Sequence, residues 1–201
     1  MNKIQKSSEI GLVRKMKSGD YHAKSYLTNG YLIRVVMFIC DIDGCIFDNT
    51  HRVDLIPTNK HSSAAWSDFN KACANDSPIT PRINFVKHHA KMLNDEQYRK
   101  ITFITARGEN ARAETLEQLQ QYFFNFKFEL IMRPMDDNRS TVDYKRDAFY
   151  QLSDGMNERS LIIDDNPEII KMISIHFPQV NRLLVESFDC TLSGNDREVH
   201  V

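Results

Sequence analysis

The chain is poor in the residues that mark specialised classes of protein. Six prolines and seven glycines in 201 residues leave no collagenous repeat and no Gly/Pro-rich tract. Four cysteines, Cys40, Cys45, Cys73 and Cys190, include no CxxC pair, which argues against a disulfide scaffold and for reduced thiols in a cytosolic protein. Neither sign of charge prevails: 26 basic against 27 acidic residues give a net charge of −1. Only a local basic patch, not bulk charge, would attract nucleic acid. No apolar run reaches the ~18 residues of a membrane span. The N-terminal residues lack the basic–apolar–small pattern of a signal peptide. A cytoplasmic protein without a membrane partner is therefore expected. What is present, 41% apolar and 26% charged residues, suits one globular domain of ordinary size.

Residues 1–30 differ from the rest. Lys3, Lys6, Arg14, Lys15, Lys17 and Lys24 face only Glu9 and Asp20. This basic segment reads as a solvated tail or as an arm that attracts a polyanion. Ser7 or Ser8 caps a predicted short helix over 10–16, and Thr28-Asn29-Gly30 signals a turn.

Beyond the turn, strands and helices alternate. The run Tyr31–Cys40 is nearly all β-branched, aromatic or aliphatic, as in a strand buried on both faces. Further strands are predicted at 100–104, 128–132, 160–163 and 182–185. Helices are predicted at 83–93, 110–124, 143–152 and 167–176. In the second of these helices Leu116, Leu119, Tyr122 and Phe123 line one face. Such alternation predicts right-handed βαβ units, hence an α/β fold with a three-layer, Rossmann-like parallel sheet.

Ligands of open parallel sheets bind beyond the carboxyl ends of the strands. The residues at those positions are Asp41 and Asp43, then Thr105, Ala106 and Arg107, then Arg133, then Asp164 and Asp165; Lys145 opens the helix after the Arg133 loop. Any one of these is unremarkable as a solvated loop charge. Together they converge on one rim. Crowded carboxylates repel unless a cation holds them, and an all-oxygen donor set suits Mg²⁺. A lysine, arginines and Mg²⁺ around one spot suit a transferring phosphoryl group. One aspartate can attack phosphorus, and another two residues on can protonate the leaving oxygen. Gly44 lets the chain turn away without a side chain in the path.

Asp41-Ile42-Asp43-Gly44, Thr105, Lys145 and Ile163-Asp164-Asp165 resemble, in order, the four motifs of the haloacid dehalogenase (HAD) superfamily of phosphatases. The resemblance implies Asp41 as nucleophile and Asp43 as general acid/base. It implies Thr105 and Lys145 on the phosphoryl oxygens, and Mg²⁺ held by Asp41, Asp164 and Asp165, with Asp43 also counted in the metal set. A narrower resemblance is to the 3′-phosphatase domain of bacteriophage polynucleotide kinase-phosphatases. It rests on Arg52, Thr105-Ala106-Arg107, Met132-Arg133-Pro134 with Arg139 following, Tyr144-Lys145-Arg146-Asp147, and Trp66, Phe69, Ala72 and Asp76-Ser77-Pro78. It implies that Arg52, Ala106, Arg107 and Arg133 bind substrate. Two departures stand out: Cys45 replaces the usual Thr, and Thr141 occupies the place of an acid, with Asp143 the candidate substitute. No GxxxxGK[ST] segment is present, so no kinase half is expected.

In this superfamily caps shape substrate choice. After allowance for a crossover helix, residues 54–77 remain for a small helical cap, and no second cap fits between Thr105 and Lys145. An open site is expected. The chain then divides into a basic extension over 1–36 that includes the start of the first strand, a phosphatase domain over 37–190, and a tail over 191–201. Trp66, Phe69 and Cys73 share a helical face, as packing residues or as a base-stacking platform. His51, Arg52 and Lys60 are positioned to guide a phosphodiester backbone, and His88 and His89 are expected at the surface or its boundary. The leading expectation is a Mg²⁺-dependent phosphomonoesterase acting on nucleic-acid 3′ phosphates or on nucleotides. The alternatives are a (deoxy)nucleoside monophosphatase and a non-enzymatic phospho-receiver. Asp43 argues against the receiver, because an acid there hastens loss of the aspartyl-phosphate.

Overall fold

The computed structural model describes residues 37–92 and 100–185, together with β1 (Leu27–Thr28) and β2 (Tyr31–Leu32). The expected helix at 10–16, most of the basic extension, Cys190 and the C-terminal tail lie outside the described residues. β1 and β2 pair antiparallel, with Thr28 opposite Tyr31. The predicted single strand over 31–40 therefore holds two elements, because Tyr31–Leu32 pair with Leu27–Thr28. The core strand is only β3 (Phe38–Cys40).

Nine-residue β6 (Lys100–Gly108), β7 (Lys127–Arg133), β8 (Leu161–Asp164) and β9 (Asn181–Leu184) complete a five-stranded parallel sheet in the order β7-β6-β3-β8-β9. Along β3, Phe38 and Cys40 face one layer and Ile39 the other, and all three are buried. This two-sided burial explains the unbroken apolar run in the sequence. On the Phe38 side lie Ile83 and Val86 of α2 (Thr80–Met92) and Leu119 and Phe123 of α3 (Arg112–Phe123). On the Ile39 side lie Ala148 and Phe149 of α4 (Thr141–Leu152) and Ile169, Met172 and Ile173 of α5 (Pro167–His176). The result is the expected three-layer α/β fold. Ser140 caps α4 and Asn166 caps α5, each accepting a backbone N–H of the first turn, and Pro167 takes the first helical position.

From β3 the chain crosses first to β6 and β7 and later returns to β8 on β3's other side. The switch point of the sheet thus falls at the carboxyl end of β3. After Asp43 the backbone makes a tight loop with Gly44 at φ 68°, and the Ile42 carbonyl accepts from the backbone N–H groups of Cys45, Ile46 and Phe47. A side chain at Gly44 would be strained and would collide with the Asp165 carboxylate. β4 (Phe47–Asp48) then pairs antiparallel with β5 (Ser77–Pro78). Between them the chain forms 3₁₀ turns at Thr50–Leu55, Ser63–Trp66 and Ala72–Asn75 around the short α1 (Ser67–Lys71).

Candidate active site

Four strand ends meet at the switch point. The Asp41 N–H donates to the Ile163 carbonyl at 3.0 Å, which seats Asp41 between β3 and β8. Its carboxylate is buried, with Oδ1 2.8 Å from Lys145 Nζ. The same ammonium lies 2.7 Å from Asp164 Oδ2. Burial alone would drive the proton off Lys145, but Asp164 and Asp41 outweigh it and its pKa is raised. Lys145 is thus held by Asp41 and by Asp164 at the end of β8. Asp143, the candidate suggested by the sequence, turns away to Ser140 and to Arg146 at 2.8 Å, and Thr141 Oγ1 accepts from Arg133.

Asp41, Asp164 and Asp165 each bring a carboxylate oxygen within 4.8 Å of the others. Burial pushes the Asp41 pKa well up; Lys145 opposes that, while Asp164 and Asp165 add to it. Asp165 rises to about 6, through burial and then the Asp164 charge. Three crowded oxygen donors with one ammonium between them fit a hard divalent cation. Asp43, expected in the metal set, keeps its carboxylate out of this cluster.

The acidic cluster has a measurable consequence. A carboxyl whose folded pKa exceeds its unfolded value stabilises the native state at low pH, and the stabilisation is lost as pH rises through the folded value. For Asp165 that loss falls between the ordinary aspartate value of 3.8 and about 6. A divalent cation relieves the repulsion only where the carboxyls are ionised. The rise in melting temperature on adding Mg²⁺ is therefore expected to be larger at about pH 7.5 than at about pH 5. Calorimetry on metal-stripped protein checks this, and an equal rise at both pH values contradicts the cluster.

Asp43 is held by a second constellation. Arg107 Nη2 and Nε lie 2.7 and 3.0 Å from its two oxygens, and Arg52 Nη2 donates to Oδ1 as well. Behind both arginines sits Asp76. It accepts from Arg52 at 2.8 and 2.7 Å and from Arg107 at 2.8 Å, and His51 Nε2 stands 2.8 Å from it. Arg107 also donates to Thr115 (3.2 Å) and Gln118 (2.9 Å). Arg52 donates to the Phe69 carbonyl and stacks on the Phe69 ring at 4.2 Å. Burial raises the Asp43 pKa, but Arg107 and then Arg52 outweigh it, so the carboxyl is held below the usual range.

The two arginines assigned to substrate by resemblance are thus 0% and 1% exposed and grip an aspartate. The strand ending predicted at residue 104 hid this arrangement. β6 runs on to Gly108, and its register with β7 shifts between Thr105 and Gly108, an irregularity that re-aims the residues between them. Thr105 is buried there, its Oγ1 accepting from the Arg107 N–H at 3.2 Å, and Ala106 is half-buried beside it. Arg133 donates to the Arg139 carbonyl and to Thr141 Oγ1 and lies over the Tyr144 ring at 5.0 Å, closing its own loop. Asp76 is the residue that residue-by-residue reading missed. Its only signal was its place in Asp76-Ser77-Pro78.

The segment between β4 and β5 is fastened to the sheet. Ser63 donates through its N–H to Asn138 Oδ1 (2.8 Å) and through its hydroxyl to the Asp137 carbonyl. Asn110 donates to Ser67 Oγ at 2.8 Å, and Gln118 to the Cys73 carbonyl at 3.0 Å. Trp66 meets Phe69 edge to face and donates to the Lys60 carbonyl at 3.3 Å. Phe69 is occupied by Trp66 and Arg52, and Cys73 is a buried thiol against Thr115, so these two are packing residues here. Of the crossover histidines, His88 is exposed, whereas His89 is buried against Phe85 and Phe38.

A parallel sheet whose switch point gathers three carboxylates, a buried lysine and an arginine-held aspartate is an arrangement suited to phosphoryl groups. Residues 14–163 match the family model described as HAD superfamily, subfamily IIIB (acid phosphatase). The match covers well over half of the sequence, and the chain belongs to this family of phosphatases. No curated protein matches the sequence. Among solved structures, a chain of a Pnkp1/Rnl/Hen1 complex is similar at 21% identity and TM-score 0.53, covering 76% of this chain and 46% of that one. A chain of the Pnkp1/Rnl/Hen1 RNA repair complex is similar at 19% identity and TM-score 0.55, covering 92% of this chain and 48% of that one. These two likenesses concern the fold, and the chain spans less than half the length of either. Among the described residues no helix is long and apolar enough to cross a membrane.

Proposed function

We propose that the chain is a Mg²⁺-dependent phosphomonoesterase that works through an aspartyl-phosphate and takes its phosphoryl group from nucleic-acid 3′ ends or nucleotides. The observation that supports it best is the division of labour between two aspartates two residues apart. Asp41 lies among carboxylates beside Lys145, whereas Asp43 lies in a cage of guanidiniums.

In this reading an Asp41 oxygen attacks phosphorus as the bond from phosphorus to the leaving oxygen breaks. Asp43, which must be protonated for this step against the pull of Arg107 and Arg52, gives its proton to that oxygen. The Asp43 carboxylate then takes a proton from water, which attacks phosphorus and breaks the bond to Asp41, releasing inorganic phosphate and restoring both groups. Lys145 and Thr105 hold the phosphoryl oxygens, Ala106 offers its backbone beside them, and Arg133 shapes the neighbouring loop. Arg52 and Arg107 orient Asp43 for proton transfer. Asp41, Asp164 and Asp165 would hold Mg²⁺, which when bound supplies positive charge against the developing negative charge on the phosphoryl group. We assign the phosphatase domain to 37–190 with the cap at about 54–77, fastened by Ser63 and Ser67.

The inward turn of Arg52 and Arg107 favours a second reading, a nucleoside monophosphatase, since neither cation reaches a polynucleotide backbone. Phosphate release with and without Mg²⁺, from a 3′-phosphorylated oligonucleotide and from a panel of deoxynucleoside monophosphates, separates the two. Higher kcat/KM for the oligonucleotide is the expected result. Preference for the mononucleotides selects the second reading, and release independent of added metal after stripping removes Mg²⁺ from the scheme.

A further inference from the structure

α2 is the only α-helix among the described residues without an aspartate or glutamate. In a chain of net charge −1 it carries Arg82, Lys87, His88, His89 and Lys91. It begins two residues after β5, beside the catalytic loop, where Arg82 donates to the Gly44 carbonyl. It runs about 20 Å toward the opposite edge of the sheet, since the strand that follows it, β6, is parallel to β3. Asn84, Lys87, His88 and Lys91 recur at helical spacing on its solvent side. Neither Lys87 nor Lys91 has an ion-pair partner among the described residues.

At the far end the lysines border a pocket of about 370 Å³, completed by Tyr122, Phe124, Asn125 and Phe126. Phe124 is 76% exposed, more than any other large apolar side chain described. Among the described residues no carboxylate lines the pocket, and those of α3, Glu114 and Glu117, lie in the half of that helix nearer the site. Lysines without an ion-pair partner among the described residues, Lys87 resting over the Phe123 ring at 5.7 Å, beside the exposed Phe124 ring suit a ligand with phosphates and flat faces: cations neutralise the backbone while a base stacks on a ring. A single strand has both along its whole length, and α2 leads from the catalytic loop to the pocket.

We propose that the solvent face of α2 and the Phe124 pocket form a docking track for single-stranded nucleic acid. The proposal rests on the polynucleotide reading above, but binding is measured without turnover, so the two fail separately. The probe is a fluorescent, unphosphorylated DNA strand of about ten nucleotides, titrated by anisotropy over a range of salt. Lys87→Gln/Lys91→Gln is expected to weaken binding and to reduce the slope of log affinity against log salt by about 1.4, the share of two phosphate contacts on a single strand. Phe124→Ser, at an exposed position, is expected to cost about tenfold in affinity with little change in that slope. Hydrolysis of p-nitrophenyl phosphate stays at the parent rate in both variants. Equal affinity and slope in parent and variants overturns the track. So does capture of a poly-glutamate peptide, but not the strand, in a Phe124-dependent way, which would make this a protein-docking face. Binding as expected with no hydrolysis of a 3′-phosphorylated strand would instead overturn the polynucleotide reading alone.

Discussion

Asp41→Asn is expected to lower kcat for every phosphomonoester by about 10,000-fold or more, because the amide cannot displace an alcohol from phosphorus and no neighbour can replace it. Asp164 is engaged by Lys145 and Asp165 lies beneath Gly44, so neither occupies the place of Asp41. The fold should survive. Asn keeps an oxygen for the Lys145 ammonium, Asp164 still neutralises that ammonium, and one member of a repelling carboxylate cluster is gone. The melting temperature of the metal-free variant is therefore expected to equal or exceed that of the parent. Inactivity in a folded variant assigns the chemistry to Asp41. Activity within tenfold of the parent, after contaminating phosphatases are excluded, would sink the aspartyl-phosphate scheme.

Arg107→Ala has the second-largest expected effect, and it strikes both stability and turnover. Asp43 and Asp76 are balanced by Arg52 and Arg107, and both arginines are wholly buried. Removing Arg107 leaves one uncompensated buried negative charge and strips Thr115 and Gln118 of a partner. Breaking such a pair from one side costs about 3–5 kcal/mol. Chemical denaturation should show a lower midpoint with an unchanged slope. Arg107→Lys should recover only part of this, since an ammonium cannot spread its donors over Asp43, Asp76 and Gln118 at once. A stability loss under about 0.5 kcal/mol in Arg107→Ala would mean that the network does not hold the site together. Turnover falls with it because Asp43 loses the fork that orients its carboxyl.

Much of the scaffold was legible because strands buried on both faces must be apolar throughout. The runs at 100–104, 128–132 and 160–163 identified β6, β7 and β8, and Pro167 marked the start of α5 to the residue. The β1–β2 hairpin escaped because Tyr31 and Leu32 have the same composition as the core strand they precede. Apolarity reports burial, not the partner against which burial occurs. In the same way Asp41, Asp43, Lys145, Asp164 and Asp165 were found by position, each placed after a strand or early in the helix that follows.

The sequence by itself determined the alternation of elements, and with it the rim on which polar side chains collect. Local periodicity and the rule that ligands sit at strand ends need no long-range knowledge. Only the tertiary structure decided which charge meets which. It turned Arg52 and Arg107 inward to Asp43, brought Asp76 up behind them, and set Lys145 between Asp41 and Asp164 instead of beside Asp143. The physical reason is that any of these cations could satisfy any nearby carboxylate. Chain separations such as the 64 residues between Asp43 and Arg107 carry no local signal of pairing. The choice is made by the depth at which each side chain is sealed from water, where an unpaired charge is intolerable.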